Sequence, residues 1–398
     1  MIRDEENNHN LDNKIVSIPK ERIDLNAMWV LRRLRAKGYE AYLTGGCVRD
    51  LLLGKQPKDF DVATSAKPEE VKAIFGNCRL IGRRFLLAHV VFPGGKIIET
   101  ATFRSNPLEE TSFDEEQEDS NLLVMQDNVF GTVKEDAFRR DLTINGLFYD
   151  PIEEKVLDYV GGLDDLQNGI IRTIGDPDIR VQEDPVRILR AIRFANILEF
   201  KIEEKTFSAM RKYNKEILKC APARLQEEIS RLLLSKYSHK NFEMALEIGI
   251  LHSLLPELLE GLSGNAHGVD NLEDISVEKI KSTSSYLELI NTLKVLDEVV
   301  AKDCLVFSSV AFTCLLLPAY QLLEKSEQNE RNWIDRLCVS WSERIRLTRR
   351  DQDVIRVLLT SISLFSIDKV SQPSAKSLLR KIWFREALLV FTIYLRSE

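Results

Sequence analysis

The chain has 398 residues, 44% of them apolar and 29% charged. That balance belongs to an ordinary folded globular protein, and it excludes global disorder. The length suffices for two or three domains with their own cores. A formal net charge of −7 argues against a broadly basic nucleic-acid-binding surface, so any such function must rest on clustered basic residues.

The first residues, Met1-Ile2-Arg3-Asp4-Glu5-Glu6, lack an apolar signal core and are too acidic for a transit peptide. An intracellular, by default cytoplasmic, location is therefore expected. Residues 1–23 are polar and read as disordered. Met28, Leu31 and Leu34 at helical spacing predict a helix over 27–37, followed by a strand over 40–43 and the Gly45-Gly46 turn. Arg49 opens a short helix to residue 53, and 59–63 reads as a strand. Pro68 begins a helix over 68–75. Two alternating apolar runs, 86–92 and 96–103, are divided by Pro93-Gly94-Gly95, a hairpin signal. Residues 24–150 thus predict a small mixed sheet with helices packed on one side.

The acidic stretch 109–119 reads as a mobile surface loop. Beyond residue 150 almost everything reads as helical, giving an α+β chain with all-α segments at 151–262 and 286–398. The Gly/Ser/Asn-rich residues 263–285 form a linker. The most apolar stretch, 305–323, contains Ser308, Ser309 and Thr313 and is broken by Pro318, so it predicts a buried helix and no membrane span. Six cysteines show no Cys-x-x-Cys spacing, which predicts free thiols in a reducing compartment.

Three segments carry chemistry. In the first, Gly45-Gly46-Cys47-Val48-Arg49-Asp50 precedes Asp59-Phe60-Asp61. Strand alternation places Asp59 and Asp61 on one face, with Phe60 and Val62 toward the core. Paired hard oxygen ligands suit Mg²⁺, the glycines let backbone approach a triphosphate, and Arg49 can fork onto its oxygens. Such an arrangement describes phosphoryl or nucleotidyl transfer; a solvated surface pair is the plain alternative. The second is Arg139-Arg140-Asp141-Leu142-Thr143-Ile144-Asn145. Here arginines neutralise a triphosphate, while Asp141 and Asn145 either bond a ribose hydroxyl or brace the site. Alternatively, Asp141 marks a helix start. The third is Glu183-Asp184-Pro185-Val186-Arg187 through Arg190 and Arg193. Helical spacing puts Asp184, Arg187, Arg190 and Arg193 in one stripe, opposite Ile188, Leu189 and Ile192. With no acidic partners in sequence beyond Glu183 and Asp184, the stripe reads as a cationic wall.

Together these segments resemble the class II RNA nucleotidyltransferases, the family of bacterial-type poly(A) polymerases and CCA-adding enzymes. The resemblance covers roughly residues 41–256. It implies a polymerase-β-like head followed by helical neck and body. It also implies two Mg²⁺ ions on Asp59 and Asp61, a triphosphate oriented by Gly45, Gly46, Arg49 and Arg140, and Asp141 as an active-site acid. Asp184 and Arg187 would read the incoming base, with Arg190 and Arg193 continuing toward the phosphates. Residues 158–166, with Gly161-Gly162, resemble the family's hinge between head and neck.

Arg83-Arg84-Phe85 through His89 resembles the segment of bacterial-type poly(A) polymerases, and as plain residues it is either a basic strand rim or a surface that meets RNA. Glu99 is either a third carboxylate or a salt-bridge partner of Arg104. Arg344, Arg346, Arg349 and Arg350 either hold the RNA body or line a solvated helix face. The expected activity is addition of AMP from ATP to RNA 3′ ends. CCA addition to tRNA from CTP and ATP is the alternative, and a catalytically silent RNA-binding protein the rival from another class. Many bacterial poly(A) polymerases end in a basic tail, whereas this sequence ends Arg396-Ser397-Glu398; that weakens the first assignment or implies a protein partner that helps to grip RNA.

Overall fold

The computed structural model describes residues 18–82, 86–105, 129–263, 276–302, 305–325, 330–365 and 379–398. The readings of residues 1–17, of Arg83-Arg84-Phe85, of the acidic loop and of the middle of the linker lie outside the described residues. Residues 18–23, expected to be disordered, bury Ile18 and Ile23 around a short turn, and 277–281 of the expected linker are helical. The chain divides into two compact units, 1–183 with 201–206, and 184–200 with 207–398.

In the first unit, Asp24 caps helix α1 (Leu25–Arg35), its carboxylate accepting from the N–H groups of Asn26 at 2.8 Å and Ala27 at 3.1 Å. This cap starts the helix two residues earlier than side-chain periodicity alone indicated. Ala27, Val30, Leu31 and Leu34 form its buried stripe, packed on the sheet. Strands β1 (Ala41–Thr44), β2 (Asp61–Thr64), β3 (Cys78–Ile81), β4 (Leu87–Val91), β5 (Ile97–Thr102), β6 (Phe148–Asp150) and β7 (Lys155–Leu157) are ordered β3-β4-β5-β2-β1-β6-β7. The β2–β5 pair is parallel and the other pairs are antiparallel, so the sheet is mixed.

Helices α2 (Gly46–Leu52), α3 (Pro68–Ile74) and α4 (Val133–Phe138) complete this sheet's surroundings. The sheet continues past residue 150 to β7, contrary to the all-helical expectation there. Three-residue strands are too short to display a period of two.

Helix α5 (Gly162–Asn168) follows the segment read as a hinge, where Gly161 takes φ +75° with open space around it. Asp158 accepts from the N–H groups of Val160 and Gly162 at 3.0 Å each and of Leu163 at 2.9 Å. A Cβ on Gly162 would collide with the Thr143 carbonyl oxygen. The Gly162 position is thus set by close packing rather than by pliancy. Strand β8 (Ile170–Ile171) pairs in parallel with β9 (Lys201–Ile202), and α6 (Pro177–Glu183) closes the unit.

The second unit is helical. Helix α7 (Val186–Leu198) packs on α9 (Pro222–Leu233) and α10 (Ser238–Ile248), with α8 (Glu204–Lys212) earlier in the chain. A buried Asn196–Asn241 hydrogen bond of 2.8 Å ties α7 to α10. Then come α11 (Ile250–Leu254), α12 (Pro256–Leu262), α13 (Val277–Lys281), α14 (Ser284–Ala301), α15 (Ser308–Lys325), α16 (Glu330–Arg344), α17 (Arg349–Phe365) and α18 (Phe384–Ser397).

Helix α15 is the buried helix that its composition predicts, with Val310 through Leu317 within the core and Pro318 inside it. It packs on α9, α12, α14, α16, α17 and α18. Among the described residues no helix is long and apolar enough to cross a membrane. Five described cysteines are free and buried; Cys304 lies outside the described residues.

Glu257 at the start of α12 holds α16 in place. Its carboxylate accepts from Trp341 Nε1 at 3.3 Å, from Arg344 at 3.0 and 3.1 Å and from the Ser340 hydroxyl, while its carbonyl accepts from Trp333 Nε1 at 3.0 Å. Arg344 is therefore committed to this network and leaves the predicted basic cluster; Arg346, Arg349 and Arg350 stay exposed. Glu257→Ala would leave the Trp341 indole N–H without its acceptor and Arg344 without its carboxylate, a loss of about 1–3 kcal/mol. Urea unfolding should show a lower midpoint, and Glu257→Gln should recover part of it.

Candidate active site

Strand β1 ends at Thr44 and α2 begins at Gly46, with Gly45 between them at φ +71°, a conformation glycine adopts without strain. A Cβ on Gly45 would sit 3.2 Å from Arg140 Nη1. The glycine turn and the second arginine motif, about a hundred residues apart, therefore meet.

Arg49 lies in the last turn of α2 rather than at its start, and is 7% exposed. Its Nε and Nη2 donate to Asp50 Oδ1 at 2.9 and 2.7 Å, and its Nη1 donates to Asn145 Oδ1 at 2.9 Å. Arg140 donates through Nε and Nη2 to Asp136 Oδ2 at 3.2 and 2.8 Å, and through Nη1 to the Asn145 carbonyl at 3.3 Å. Its guanidinium also stands 4.8 Å over the Phe148 ring. Asp141 starts no helix: its Oδ1 accepts from the Leu142 N–H at 2.8 Å and from Asn145 Nδ2 at 3.4 Å. Arg49, Arg140 and Asp141 thus converge on Asn145, 6% exposed, which braces the site.

Asp61 opens β2, but Asp59 lies in the bend before it, so strand alternation does not govern the pair as the spacing suggested. Phe60 and Val62 are buried as expected. Parallel pairing sets Asp61 opposite Glu99 of β5, and antiparallel pairing sets Glu99 opposite His89 of β4. His89 Nε2 is 3.6 Å from Glu99 Oε1, so the side chain that Glu99 faces is His89 and not the Arg104 expected. Burial, then the charge of Glu99, and more weakly that of Asp59, push the Asp61 carboxyl up to about 6, with Arg140 opposing.

No group of three or more His, Cys, Asp or Glu side chains converges as ion ligands among the described residues. Mg²⁺ commonly uses only one or two protein carboxylates, with substrate phosphates and water supplying the rest. A half-buried carboxylate whose ionisation is opposed by two like charges suits a divalent cation, so the donor chemistry fits.

The site also rests on residues that sequence reasoning missed. Arg180 of α6, 7% exposed, donates through Nη2 to the carbonyls of Arg139 at 2.8 Å and Arg140 at 2.9 Å, and pairs with Glu183 at 2.7 Å. No local spacing announces a contact forty residues away. Asp136 stands four residues before Arg140, near the end of α4, a spacing at which an acid and an arginine can pair.

In the second unit, Asp184 accepts from Arg224 Nη2 at 2.9 Å. Arg187, in the first turn of α7, is 8% exposed. Arg190 and Arg193 approach Glu228 of α9 at 3.5 and 3.3 Å, and Arg231 joins them at 3.3 Å. Glu228 is 6% exposed. The expected wall without acidic partners is thus corrected: a buried carboxylate from another helix binds its outer arginines.

Among the described residues, the seven-stranded mixed sheet with its glycine turn and carboxylate register, followed by helices, is the α+β architecture of the nucleotidyltransferase fold class. A Poly A polymerase head domain matches residues 41–172, and a probable RNA and SrmB-binding site of polymerase A matches residues 199–262. The chain is 38% identical over 355 residues to poly(A) polymerase I of Escherichia coli O6:H1, covering 86% of this chain and 73% of that protein. It spans 64% of the corresponding enzyme of Salmonella typhi, at 41% identity over 78% of this chain. A CCA-adding enzyme of Lactobacillus helveticus is 34% identical over 70% of this chain and 66% of its own length. A solved CCA-adding enzyme with ATP shares the fold at a TM-score of 0.64 and 22% identity, covering 96% of this chain and 82% of its own. The chain belongs to the class II RNA nucleotidyltransferase family, which holds the bacterial poly(A) polymerases and the CCA-adding enzymes.

A raised carboxyl has a measurable consequence. Asp61 binds its proton more tightly folded than unfolded, so its contribution to stability is complete below about pH 4 and is lost as pH rises through 6. Without divalent cation, Asp61→Asn should stabilise the chain above pH 6 by on the order of 2 kcal/mol and leave it unchanged near pH 4. Thermal melts at the two pH values check this.

Proposed function

We propose that this chain transfers AMP from ATP to the 3′ ends of RNA without a template. The observation that carries this reading is the register of Asp61 with Glu99, beside the Gly45–Arg140 contact: carboxylates for cations stand next to a glycine turn and arginines suited to a triphosphate. The 38% identity to a poly(A) polymerase I supports the adenylate specificity.

In this reading Asp59 and Asp61 hold two Mg²⁺ ions. When bound, the ions supply Lewis acidity, easing deprotonation of the RNA 3′-hydroxyl and offsetting charge on the leaving pyrophosphate. Oxygen of the 3′-hydroxyl bonds to the α-phosphorus of ATP as the bond to pyrophosphate breaks. The Gly45-Gly46 backbone gives the triphosphate a close approach, and Arg140 and Arg49 add positive potential while Asn145 keeps both from swinging away. Asp141 acts through the turn it caps. Asp184 and Arg187 read the base edge, an acceptor and a donor held by Arg224 and by the start of α7. Arg190 and Arg193 share Glu228, so their part is to shape that helix pair.

The second reading, CCA addition, is favoured by the relative from Lactobacillus helveticus. Purified chain with Mg²⁺ should extend an unstructured RNA by many adenylates and use little CTP. Taking CTP first and stopping after C-C-A on a trimmed tRNA, without tailing the generic RNA, would replace the first reading with the second. Asp59→Asn should lower transfer by at least about 10³-fold, the scale of lost transition-state charge stabilisation.

Base choice has its own test. Arg187→Ala should raise the ATP concentration required and blur selection among ATP, CTP and UTP in single-turnover assays. Unchanged selectivity would remove α7 from base reading.

A further inference from the structure

Four strands of the head sheet carry one continuous polar row. Arg79 of β3 is in register with His89 of β4, His89 with Glu99 of β5, and Glu99 with Asp61 of β2. Residues in register share a face. Their neighbours Ala88, Val90, Ile98, Thr100 and Val62 point to the core, so the row lies on the open face of the sheet.

We infer that His89 is a positioning residue that acts through Glu99 on the carboxylates proposed to hold the metal ions. The inference rests on the reaction proposed above and adds a residue to it. Glu99 has a half-exposed side chain, 51% accessible, on an otherwise flat strand face, and three rotatable bonds over which to spread. Facing its carboxylate is the His89 ring, with Nε2 3.6 Å from Oε1 and the ring only 20% accessible.

The β4–β5 pairing sets His89 opposite Glu99, and Nε2–H donates both in the cation and in the matching neutral tautomer. A small rotation of the carboxylate closes the contact to a hydrogen bond. Glu99 is then held between His89 and Asp61, where its charge is felt by Asp61. Partners that orient a ligand in this way typically contribute about 10–100-fold to metal affinity or activity.

The experiment uses the full chain and Mn²⁺, followed by electron paramagnetic resonance, alongside kcat and KM for ATP with Mg²⁺. His89→Ala should weaken Mn²⁺ binding about 10–100-fold and lower kcat with KM for ATP little changed. His89→Gln, which keeps a donor of similar reach, should retain most of both. In a Glu99→Gln background, His89→Ala should add no further loss, because the residue through which it acts has already lost its charge. Wild-type Mn²⁺ affinity in His89→Ala, or losses that simply add in the double variant, would overturn the inference while the reaction stands. A wild-type chain that adds no nucleotide to either RNA would overturn the reaction and this inference with it.

Discussion

The head site depends on one amide. Asn145 receives Arg49 on its side-chain oxygen and Arg140 on its carbonyl, and gives its side-chain N–H to Asp141. Two guanidinium groups that would repel each other across a narrow turn are thereby held side by side. Each is offset by its own carboxylate, Asp50 for Arg49 and Asp136 for Arg140. The result is fixed positive potential beside fixed negative potential at Asp61, with little left to reorganise when a polyphosphate arrives. Arg180 extends the same constraint by pinning the carbonyls at the end of α4, so the loop bearing Arg140 is tied to two helices.

The second unit solves a similar electrostatic problem differently. Arg190, Arg193 and Arg231 surround one buried carboxylate, Glu228, and Arg231 also binds Glu227 at 2.6 Å. Burial pulls the Arg193 guanidinium below its usual value, with Glu228 opposing, yet an arginine remains charged at any physiological pH. The Glu228 carboxylate works as a fastener for α7 on α9. A net charge of −7 over the chain is compatible with this, because field at a site follows local groups rather than the total.

Much of this was readable beforehand. Helices α1, α2 and α3 and strands β1, β2, β4 and β5 of the head followed from periodicity, glycine turns and Pro68, while β3 and α4 went unread; the buried α15 followed from its apolar run interrupted by hydroxyls. The segments that carry Asp59, Asp61, Arg49, Arg140, Asp184 and Arg187 stood out by residue type and spacing, but the roles expected of them came from the family resemblance. What could not be read were contacts whose partners lie far apart in sequence: Arg180 with the end of α4, Glu228 with α7, and Arg344 with Glu257. Short strands β6 and β7 escaped for a related reason, since each exists through its neighbour in the sheet rather than through its own three residues.

By itself the sequence determined which chemistry is present, because side-chain type and local period fix what a residue can donate, accept or bury. It also determined the glycine positions, where a positive φ or close packing admits nothing larger. Tertiary structure alone decided which charges are spent on holding the fold and which face the site. Parallel pairing of β2 with β5 brought Glu99 to Asp61, and a buried carboxylate on α9 claimed the arginines of α7. Register between strands and packing between helices are set by the whole hydrophobic core, so no local stretch of residues contains them.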